Sequence, residues 1–410
     1  MKQKLLGIPD FRVILAARVL TALCLQSQAV IVGWHVYELT KDPLWLGLIG
    51  LTEAVPAIGF AFLSGHVVDN HRPARVYRIA TAILALNSVA LWLSVLPSVP
   101  LSAPSRLVAI FAAVFVSGVA RSFMSPSLFA MLSKAVPKRL QSESSAWNSW
   151  GFQIAAICGP ALAGILYGTL GPATAFAWPP LMILTGVLIF RLLSQDSANF
   201  RTEATREPFV TSVVSGIQFV WQQKVLLSSL SLDMLSVLFG GATAILPMYS
   251  DQVLHAGSVG LGFLRASMSA GSAVVALYLA FRPLRTISGR MLLWMVAGFG
   301  ASTLAFAFTQ SFAAAFFFLA LAGVFDGVSL VIRNTILQLL TPDPMRGRVS
   351  ALSLIFITSS NEIGAFESGL AARVLGLIPS LIFGGAMTLA IVTGTAWRVP
   401  ELRRTKIRPE

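Results

Sequence analysis

Apolar residues along this chain are grouped into long runs, and short polar connections separate one run from the next. A helix needs about 20 mostly apolar residues to cross the hydrocarbon core of a bilayer. The pattern therefore predicts twelve membrane-spanning helices, which we number as spans 1 to 12 in chain order. They are 12–37, 44–66, 76–97, 107–133, 146–168, 173–193, 226–249, 258–281, 290–309, 312–334, 349–371 and 378–397.

The longest polar stretch lies in the middle of the chain, at 194–224. Its first part, SQDSANFRTEATREPF, is typical of a linker, whereas its second part, VTSVVSGIQFVWQQK, is amphipathic and ends on a basic residue. A basic amphipathic helix lies along a membrane surface rather than across the bilayer. We therefore expect an N-terminal six-helix half at 1–193, a cytoplasmic linker with an amphipathic segment at 194–224, and a C-terminal six-helix half with a basic cytoplasmic tail at 225–410.

The two halves carry an internal repeat. Residues 117–171 align with residues 322–376 at a constant shift of 205 and without a gap. A repeat of six spans is the pattern expected of secondary transporters. The sequence therefore predicts an all-α membrane protein of twelve transmembrane helices in two pseudo-symmetric halves. The matching positions include Gly118 with Gly323, Pro137 with Pro342, Gly159 with Gly364, Gly164 with Gly369, and Gly171 with Gly376.

The composition favours the same class and excludes several others. Charged residues make up only 11% of the chain, against about 25% in soluble domains. The net charge is +13, but the basic residues form short clusters between apolar runs, so nucleic acid is not an expected partner. The sequence contains no Ser/His/Asp set, nucleotide-binding loop or metal-ligand spacing. We therefore expect neither an enzyme nor a cofactor or metal site.

Lys and Arg residues predict the orientation in the membrane. If the N-terminus is cytoplasmic, the connections on the outer side hold only Lys41, Arg106 and Arg373, and most other basic residues fall on the cytoplasmic side. Short cytoplasmic loops are enriched in Lys and Arg, so this asymmetry places both termini in the cytoplasm. The segment MKQKLLGIPDFRVILAARVL lacks the apolar core of a signal peptide, and we expect it to be retained.

Several charged residues fall inside the predicted spans. A charge in hydrocarbon costs about 2.5–3.5 kcal/mol on insertion scales, so such residues usually mark a transport pathway or pair with each other. We consider the carboxylates candidates for proton coupling and the arginines their charge partners; for Glu53 and Glu362 the alternative is polar packing between helices. The carboxylates are Glu53, Asp233, Asp326 and Glu362, and the arginines are Arg121, Arg265 and Arg333.

Two short motifs resemble those of a known transporter class. GHVVDNHRPARV, after span 2, resembles the loop motif of the major facilitator superfamily at Gly65, Asp69, Arg72 and Arg75, although Asn70 stands where an arginine is usual. CGPALAG in span 5 resembles the antiporter motif of proton-driven exporters. Its matching positions are Gly159, Pro160 and Gly164. Longer stretches, such as SLDMLSVLFGGATAILP, resemble the transmembrane secretion effector branch that includes the bacterial enterobactin exporter.

The resemblance implies a major facilitator fold in a bacterial inner membrane, as a multi-pass monomer. In that fold spans 1, 4, 7 and 10 line a central cavity, span 5 packs on span 8, and span 2 packs on span 11. Asp69 would then meet the start of span 11 near Arg346 and Arg348 and act as a gate; a solvated loop charge is the alternative. Candidates for contacting a substrate in the cavity are Gln26, Gln28, Trp34, Ser125 and Ser236.

One pairing follows from the repeat. Arg121 and Asp326 are equivalent positions because they are 205 residues apart, and we expect them to pair across the pseudo-twofold axis. Asp233, within LLSSLSLDMLSVLFGGATAILP, would then be the freer carboxylate and the first candidate for carrying the proton. The alternative is that Asp233 is the structural partner of an arginine.

The function expected from these observations is secondary active transport by alternating access. The resemblance implies a proton-coupled antiporter that exports a small organic compound such as a siderophore or a drug. Its partners would be the small-molecule substrate, protons or another coupling cation, and the lipid bilayer. A proton-coupled uptake symporter of the same fold is the main alternative, and a non-transporting membrane receptor or scaffold is the third.

Overall fold

The computed structural model of the protein describes residues 4–194, 209–282, 286–342 and 345–407. Long helices make up nearly all of it. Spans 1 to 4 are Pro9–Thr40, Pro43–Asn70, Pro73–Val95 and Ala103–Ala135, and spans 5 and 6 share the helix Gln141–Phe190. Span 7 is Lys224–Gly240, continued by a 3₁₀ turn at Ala242–Ile245 and the short helix Leu246–Gln252. Spans 8 to 12 are Gly257–Phe281, Gly289–Ala307, Phe312–Leu340, Arg346–Leu375 and Leu377–Arg398.

The remaining elements are short. They are the helices Phe209–Gln222 and Pro400–Arg404, the 3₁₀ turns Leu5–Gly7 and Lys138–Leu140, and the strands Ile287–Ser288 and Lys406–Ile407, which pair antiparallel.

The predicted all-helical membrane architecture is confirmed. Within the described residues, eleven helices are long and apolar enough to cross a bilayer, and one of them, Lys138–Phe190, has 53 residues. That length is more than twice what one crossing needs. Gly171 breaks this helix with φ of 80° and ψ of 174°, which separates span 5 from span 6. All twelve predicted runs therefore correspond to helical segments of the structure.

Two equivalent glycines make the sharpest connections between spans. Gly171 separates spans 5 and 6, and Gly376, 205 residues later, separates spans 11 and 12 with φ of 93°. Backbone of positive φ is accessible to glycine without the steric cost that a Cβ atom brings. The repeat in the sequence therefore reappears as the same backbone conformation at equivalent positions.

The chain divides into two compact units, and the first contains most of spans 1 to 6. It consists of Met1–Lys41, Thr52–Arg206 and Gly257–Ala266, the last of which is the start of span 8. Its core is formed by side chains from spans 1, 3, 4 and 6. These include Ile14, Ala17, Tyr77, Leu84, Met124, Ile183 and Phe190.

The second unit contains most of spans 7 to 12. It consists of Asp42–Leu51, Glu207–Ala256 and Ser267–Glu410, so the start of span 2 belongs to it. Its main core combines spans 7, 9, 10 and 12 around Leu232, Leu292 and Ile332.

The amphipathic segment expected at 210–224 is the helix Phe209–Gln222. Val220 is buried in a cluster with Leu226 and Leu337, whereas its neighbour Trp221 is 69% exposed. The helix therefore docks one face mainly on spans 7 and 11 of its own unit. The linker at 195–208 lies outside the described residues.

Candidate functional site

The second unit contains a buried ion pair between spans 7 and 10. Nη1 of Arg333 contacts Oδ1 of Asp233, and each residue is only 7% exposed. The expectation that Asp233 is the freer carboxylate is therefore wrong, and the alternative, a partnership with an arginine, is what the structure contains. The paired arginine offsets much of the cost of holding the Asp233 charge away from water.

A second ion pair lies in the first unit. Nη1 of Arg121 on span 4 contacts Oε1 of Glu53 on span 2, and the two side chains are 43% and 19% exposed. Gly118 brings the two helices together, because a methyl group added there would lie 2.8 Å from the Glu53 carbonyl oxygen and 2.7 Å from Cγ of Pro56. Arg121 is one turn after Gly118 and therefore reaches Glu53.

The partner expected for Arg121 was Asp326, and this expectation is corrected to Glu53. The repeat shows that Arg121 and Asp326 occupy equivalent positions on two helices. It does not show which neighbouring helix packs closest to each of them. Gly118 decides that for span 4, because its missing side chain allows span 2 to approach. Asp326 itself is half-buried on span 10, and Arg265 is half-buried on the part of span 8 that belongs to the first unit.

The glycines of the CGPALAG motif lie at two close helix contacts of the first unit. A methyl group at Gly159 would be 2.9 Å from Cβ of Gln26, and Ser27 Oγ donates to the Gly159 carbonyl oxygen at 3.1 Å. A methyl group at Gly164 would be 2.9 Å from Cα of Gly262. Pro160 lies inside the helix between these contacts. Span 5 is thereby packed on span 1 and on the start of span 8.

The second unit has the matching contacts. A methyl group at Gly364 would lie 2.9 Å from Cα of Leu238 on span 7, and one at Gly369 would lie 2.8 Å from Cα of Gly47 on span 2. Glu362 lies along the same contact of spans 2 and 11, since a methyl group at Gly50 would be 3.6 Å from its Oε2. At the end of this contact, Arg373 Nη1 is 3.5 Å from Oδ2 of Asp42.

The residues of the predicted cytoplasmic loop motif surround the end of span 2. Gly65 and Asp69 lie in its last turns, Arg72 is the residue before the first turn of span 3, and Arg75 lies in that turn. Arg348, at the start of span 11, donates from Nη1 to Oγ of Ser215 at 2.8 Å and so holds the amphipathic helix. The side chain of Arg346 lies outside the described residues. The gating role of these residues stays a prediction.

The five candidates for substrate contact differ in their surroundings. Gln28 accepts a hydrogen bond from Ser88 Oγ at 2.8 Å, and Trp34 Nε1 donates to Glu38 Oε1 at 2.7 Å, so both are engaged within the first unit. Ser236 is 2% exposed in the second unit. Gln26 is half-buried beside Gly159, and Ser125 is exposed. Their role in substrate binding stays a prediction.

Sequence reasoning missed several titratable residues in or beside the spans. Glu367 lies within the predicted span 11, and the rule that singled out the other intramembrane carboxylates also applies to it. Glu38 lies one residue beyond the predicted end of span 1, and it bonds to Trp34 and to Tyr167. His35 completes this group through a hydrogen bond to Tyr167. No spacing in the sequence indicates that spans 1 and 5 bring these side chains together.

Comparison with known proteins decides the family. A family model described as transmembrane secretion effector matches residues 5–410. The chain belongs to this family. The resemblance to the major facilitator superfamily is thereby confirmed, and the chain belongs to a family of membrane transporters rather than of enzymes.

Two relatives of this chain are export proteins. The chain is 24% identical over 404 residues to the enterobactin exporter EntS of Shigella flexneri, covering 98% of this chain and 94% of the exporter. It is also 24% identical over 262 residues to the multidrug efflux pump Tap of Mycobacterium tuberculosis. That match covers 63% of this chain and 61% of the pump, so the chain spans less than two thirds of the pump's length.

Solved transporter structures share the fold. A POT family transporter in complex with 5-aminolevulinic acid superposes with a TM-score of 0.76, at 11% identity, over 98% of this chain and 100% of that one. The nucleoside transporter NupG superposes with a TM-score of 0.72, at 12% identity, over 94% of this chain and 99% of that one. The predicted major facilitator fold is confirmed.

Proposed function

We propose that this protein is a proton-coupled exporter that moves a small organic compound out of the cell, through the inner membrane of a bacterium. Protons would move inward as the compound moves outward, by alternating access. The observation that carries the proposal is the buried ion pair between Asp233 and Arg333 in the second unit. The relation to an enterobactin exporter and to a multidrug efflux pump supports export as the direction.

The ion pair supplies a physical means of coupling. Protonation of Asp233 removes its charge, which weakens the contact with Arg333 and leaves a buried cation without its counter-charge. Separating the partners of a buried pair costs about 3–5 kcal/mol. A proton therefore changes the relative stability of the conformations that keep and break the pair. The ionised pair is the state that accepts the exported compound, and protonation from outside lowers the affinity for that compound.

The proton and the compound then bind antagonistically. If protonation lowers the affinity for the compound, the bound compound lowers the affinity for the proton by the same factor. This reciprocity is the condition for exchange. The favoured cargo is an amphipathic compound such as a siderophore or a drug, and both classes should be tested because the two exporters named above carry different ones.

The test is proton release from acidified inverted vesicles that contain the full-length protein. Catecholate siderophores and lipophilic cations are added in turn, with wild type and Asp233→Asn in parallel. We expect a compound-triggered proton release that is at least tenfold slower in Asp233→Asn. Glu401→Gln is the control, because Glu401 is an exposed carboxylate outside the spans whose ion pair with Lys224 has an N–O distance of 3.0 Å.

Two results would contradict the proposal. Proton release that is equal in wild type and Asp233→Asn would make the ion pair structural and would move the coupling role to Glu53, Asp326 or Glu362. Compound accumulation together with protons in right-side-out vesicles would instead indicate an uptake symporter.

A further inference from the structure

Three side chains of the first unit form a continuous hydrogen-bonded chain between spans 1 and 5. The Tyr167 hydroxyl lies 2.6 Å from Oε2 of Glu38 and 2.7 Å from Nδ1 of His35. Trp34 Nε1 donates to the other Glu38 oxygen, Oε1, at 2.7 Å. These hydrogen bonds therefore link a carboxylate, a phenol and an imidazole in that order.

The three members differ in their access to the surroundings. Glu38 is exposed, whereas Tyr167 and His35 are each 5% exposed. Nε2 of His35 is buried and has no hydrogen-bond partner among the described residues. The row of hydrogen bonds thus runs from the exposed carboxylate of Glu38 to the buried Nε2 of His35. No described residue of the unit forms a hydrogen bond with this nitrogen.

The hydrogen bonds assign the position of each proton. The Tyr167 hydroxyl has one proton and donates it to the Glu38 carboxylate, so its oxygen accepts from Nδ1–H of His35. The neutral imidazole then carries its proton on Nδ1, and Nε2 is an unprotonated acceptor. An unsatisfied acceptor at a buried position is unusual in proteins and calls for a specific explanation.

Local packing holds these hydrogen-bonded side chains in place. His35 and Glu38 are three residues apart and lie on one face of span 1. The edge of the imidazole contacts the Phe176 ring, with centroids 5.3 Å apart. The charges that act on His35 are the negative Glu38 and the positive Arg106, in the first turn of span 4, whose Nε donates to the Ser94 carbonyl oxygen.

We propose that Glu38, Tyr167 and His35 form a proton relay between the predicted outer surface and the interior of the first unit. This relay rests on the proposed proton coupling, and it is distinct from the ion pair of Asp233 and Arg333 in the second unit.

The transfer is balanced. A proton from water binds Nε2 of His35, the Nδ1 proton passes to the phenol oxygen of Tyr167, and the phenol proton passes to Oε2 of Glu38. The imidazole ends neutral as the Nε2–H tautomer, the phenol is unchanged, and the carboxylate has become a carboxylic acid. The reverse sequence takes a proton from Glu38 and releases one at Nε2, which is the inward direction.

The relay lies beside the contact of span 5 with the start of span 8. Tyr167 is flanked by Gly164, whose carbonyl oxygen accepts from Ser258 Oγ at 3.3 Å, and by Gly168, where a methyl group would be 2.7 Å from Cγ2 of Val259. A change in the Tyr167 hydrogen bonds therefore acts one turn or less from this contact. The protonation state of the relay is positioned to influence how tightly span 5 holds span 8.

The first test is nitrogen-15 NMR of the full-length protein, with labelled histidine, in lipid nanodiscs. At pH 8 we expect one histidine in the neutral Nδ1–H form, and its signal is lost in His35→Gln. Glu38→Gln keeps an acceptor for Tyr167 but cannot carry the proton, so it should abolish the pH-dependent change of that signal. An Nε2–H form for His35 at pH 8, or an unchanged titration in Glu38→Gln, would overturn the relay.

The second test is transport, with Tyr167→Phe and the matched control Tyr249→Phe. Tyr249 is a fully buried tyrosine of the second unit whose hydroxyl donates to the Thr309 carbonyl oxygen at 2.6 Å. We expect Tyr167→Phe to slow compound-triggered proton flux at least tenfold, and Tyr249→Phe to keep the wild-type flux. Proton flux equal to wild type in Tyr167→Phe, or an equal loss of flux in Tyr249→Phe, would overturn the relay.

The two tests separate this proposal from the exporter proposal. If the wild type moves no protons with any compound, proton-coupled export fails, and the NMR titration still decides whether the three residues exchange a proton.

Discussion

At the scale of single residues, glycines 205 positions apart make matching contacts within the two compact units. Gly118 of span 4 allows span 2 to approach closely, and Gly323 of span 10 does the same for span 8. A methyl group at Gly323 would lie 2.8 Å from the Met268 carbonyl carbon. Gly164 and Gly369 each meet another glycine, Gly262 and Gly47. Small residues at such positions let helix backbones approach closely in a bilayer, where no hydrophobic force drives helices together. At Gly118 this close approach brings Arg121 within reach of Glu53.

The two ion pairs differ in how far their side chains are buried. The pair of Asp233 and Arg333 is fully buried, whereas Arg121 in the pair with Glu53 is 43% exposed. Removing one partner of the buried pair leaves an uncompensated charge in a low dielectric medium.

The buried pair gives a prediction on stability. Arg333→Met should lower the free energy of unfolding by about 3–5 kcal/mol, because Asp233 keeps its charge without a partner. The double variant Asp233→Leu with Arg333→Met removes both charges and should recover most of this loss. Thermal unfolding of the purified protein in detergent measures both. Equal destabilisation in the single and double variants would show that packing, rather than charge pairing, holds this site.

At the scale of elements, span 5 packs closely on two neighbouring helices. Its first half packs on span 1 at Gly159, and its second half packs on the start of span 8 at Gly164. Pro160 lies between them, and a proline inside a helix removes a backbone hydrogen bond and bends the helix. The span is therefore shaped to follow two neighbours at once.

This packing gives a prediction on Gly164→Ala. The added methyl group would meet the Ser258 carbonyl oxygen and lie 2.9 Å from Cα of Gly262, and backbone atoms cannot turn away as a side chain can. Overpacking of this kind costs about 1–3 kcal/mol. We expect a lower unfolding temperature and slower transport in reconstituted vesicles.

The matched control is Gly394→Ala in span 12. Nothing lies within 4 Å of a methyl group there, and alanine favours helix over glycine by about 1 kcal/mol. Its stability should be unchanged or slightly raised. If the Gly164→Ala protein were as stable and active as Gly394→Ala, spans 5 and 8 would be able to move apart at little cost, and the prediction would be wrong.

At the scale of the whole molecule, membrane orientation follows from the distribution of basic residues along the chain. The predicted outer connections contain three Lys or Arg residues, Lys41, Arg106 and Arg373. Such a bias sets the direction of insertion when it lies in short loops close to the spans. Both ends of the chain are therefore expected on the cytoplasmic side.

Cysteine labelling tests this orientation. In a variant without Cys24 and Cys158, a cysteine at Ser98, between spans 3 and 4, should react with a membrane-impermeant maleimide added to intact cells. A cysteine at Asn70, the last residue of span 2, should react only after the cells are opened. The opposite pattern would reverse the assigned direction of transport, and equal reaction at both positions would contradict the predicted crossing of span 3.

Sequence by itself determined the architecture. Burial in a bilayer requires about 20 apolar residues per helix, so the spans appear as runs that need no tertiary information. The repeat was equally visible, because glycine at positions of positive φ or close backbone contact has no adequate substitute, as at Gly171 and Gly376. The motifs in spans 2 and 5 were sufficient for the family resemblance, which the match over residues 5–410 confirms.

The tertiary structure alone decided which polar groups meet. A charged side chain inside a span is stabilised by a partner, but the sequence does not show on which helix that partner lies. Arg121 pairs with Glu53 rather than with Asp326. Asp233 likewise has Arg333, and Glu38 reaches His35 only through Tyr167, which is more than a hundred residues away in the chain. Hydrogen bonds and ion pairs depend on distances of a few ångströms. Those distances are determined by the rotation and spacing of packed helices, which the order of residues in one helix does not contain.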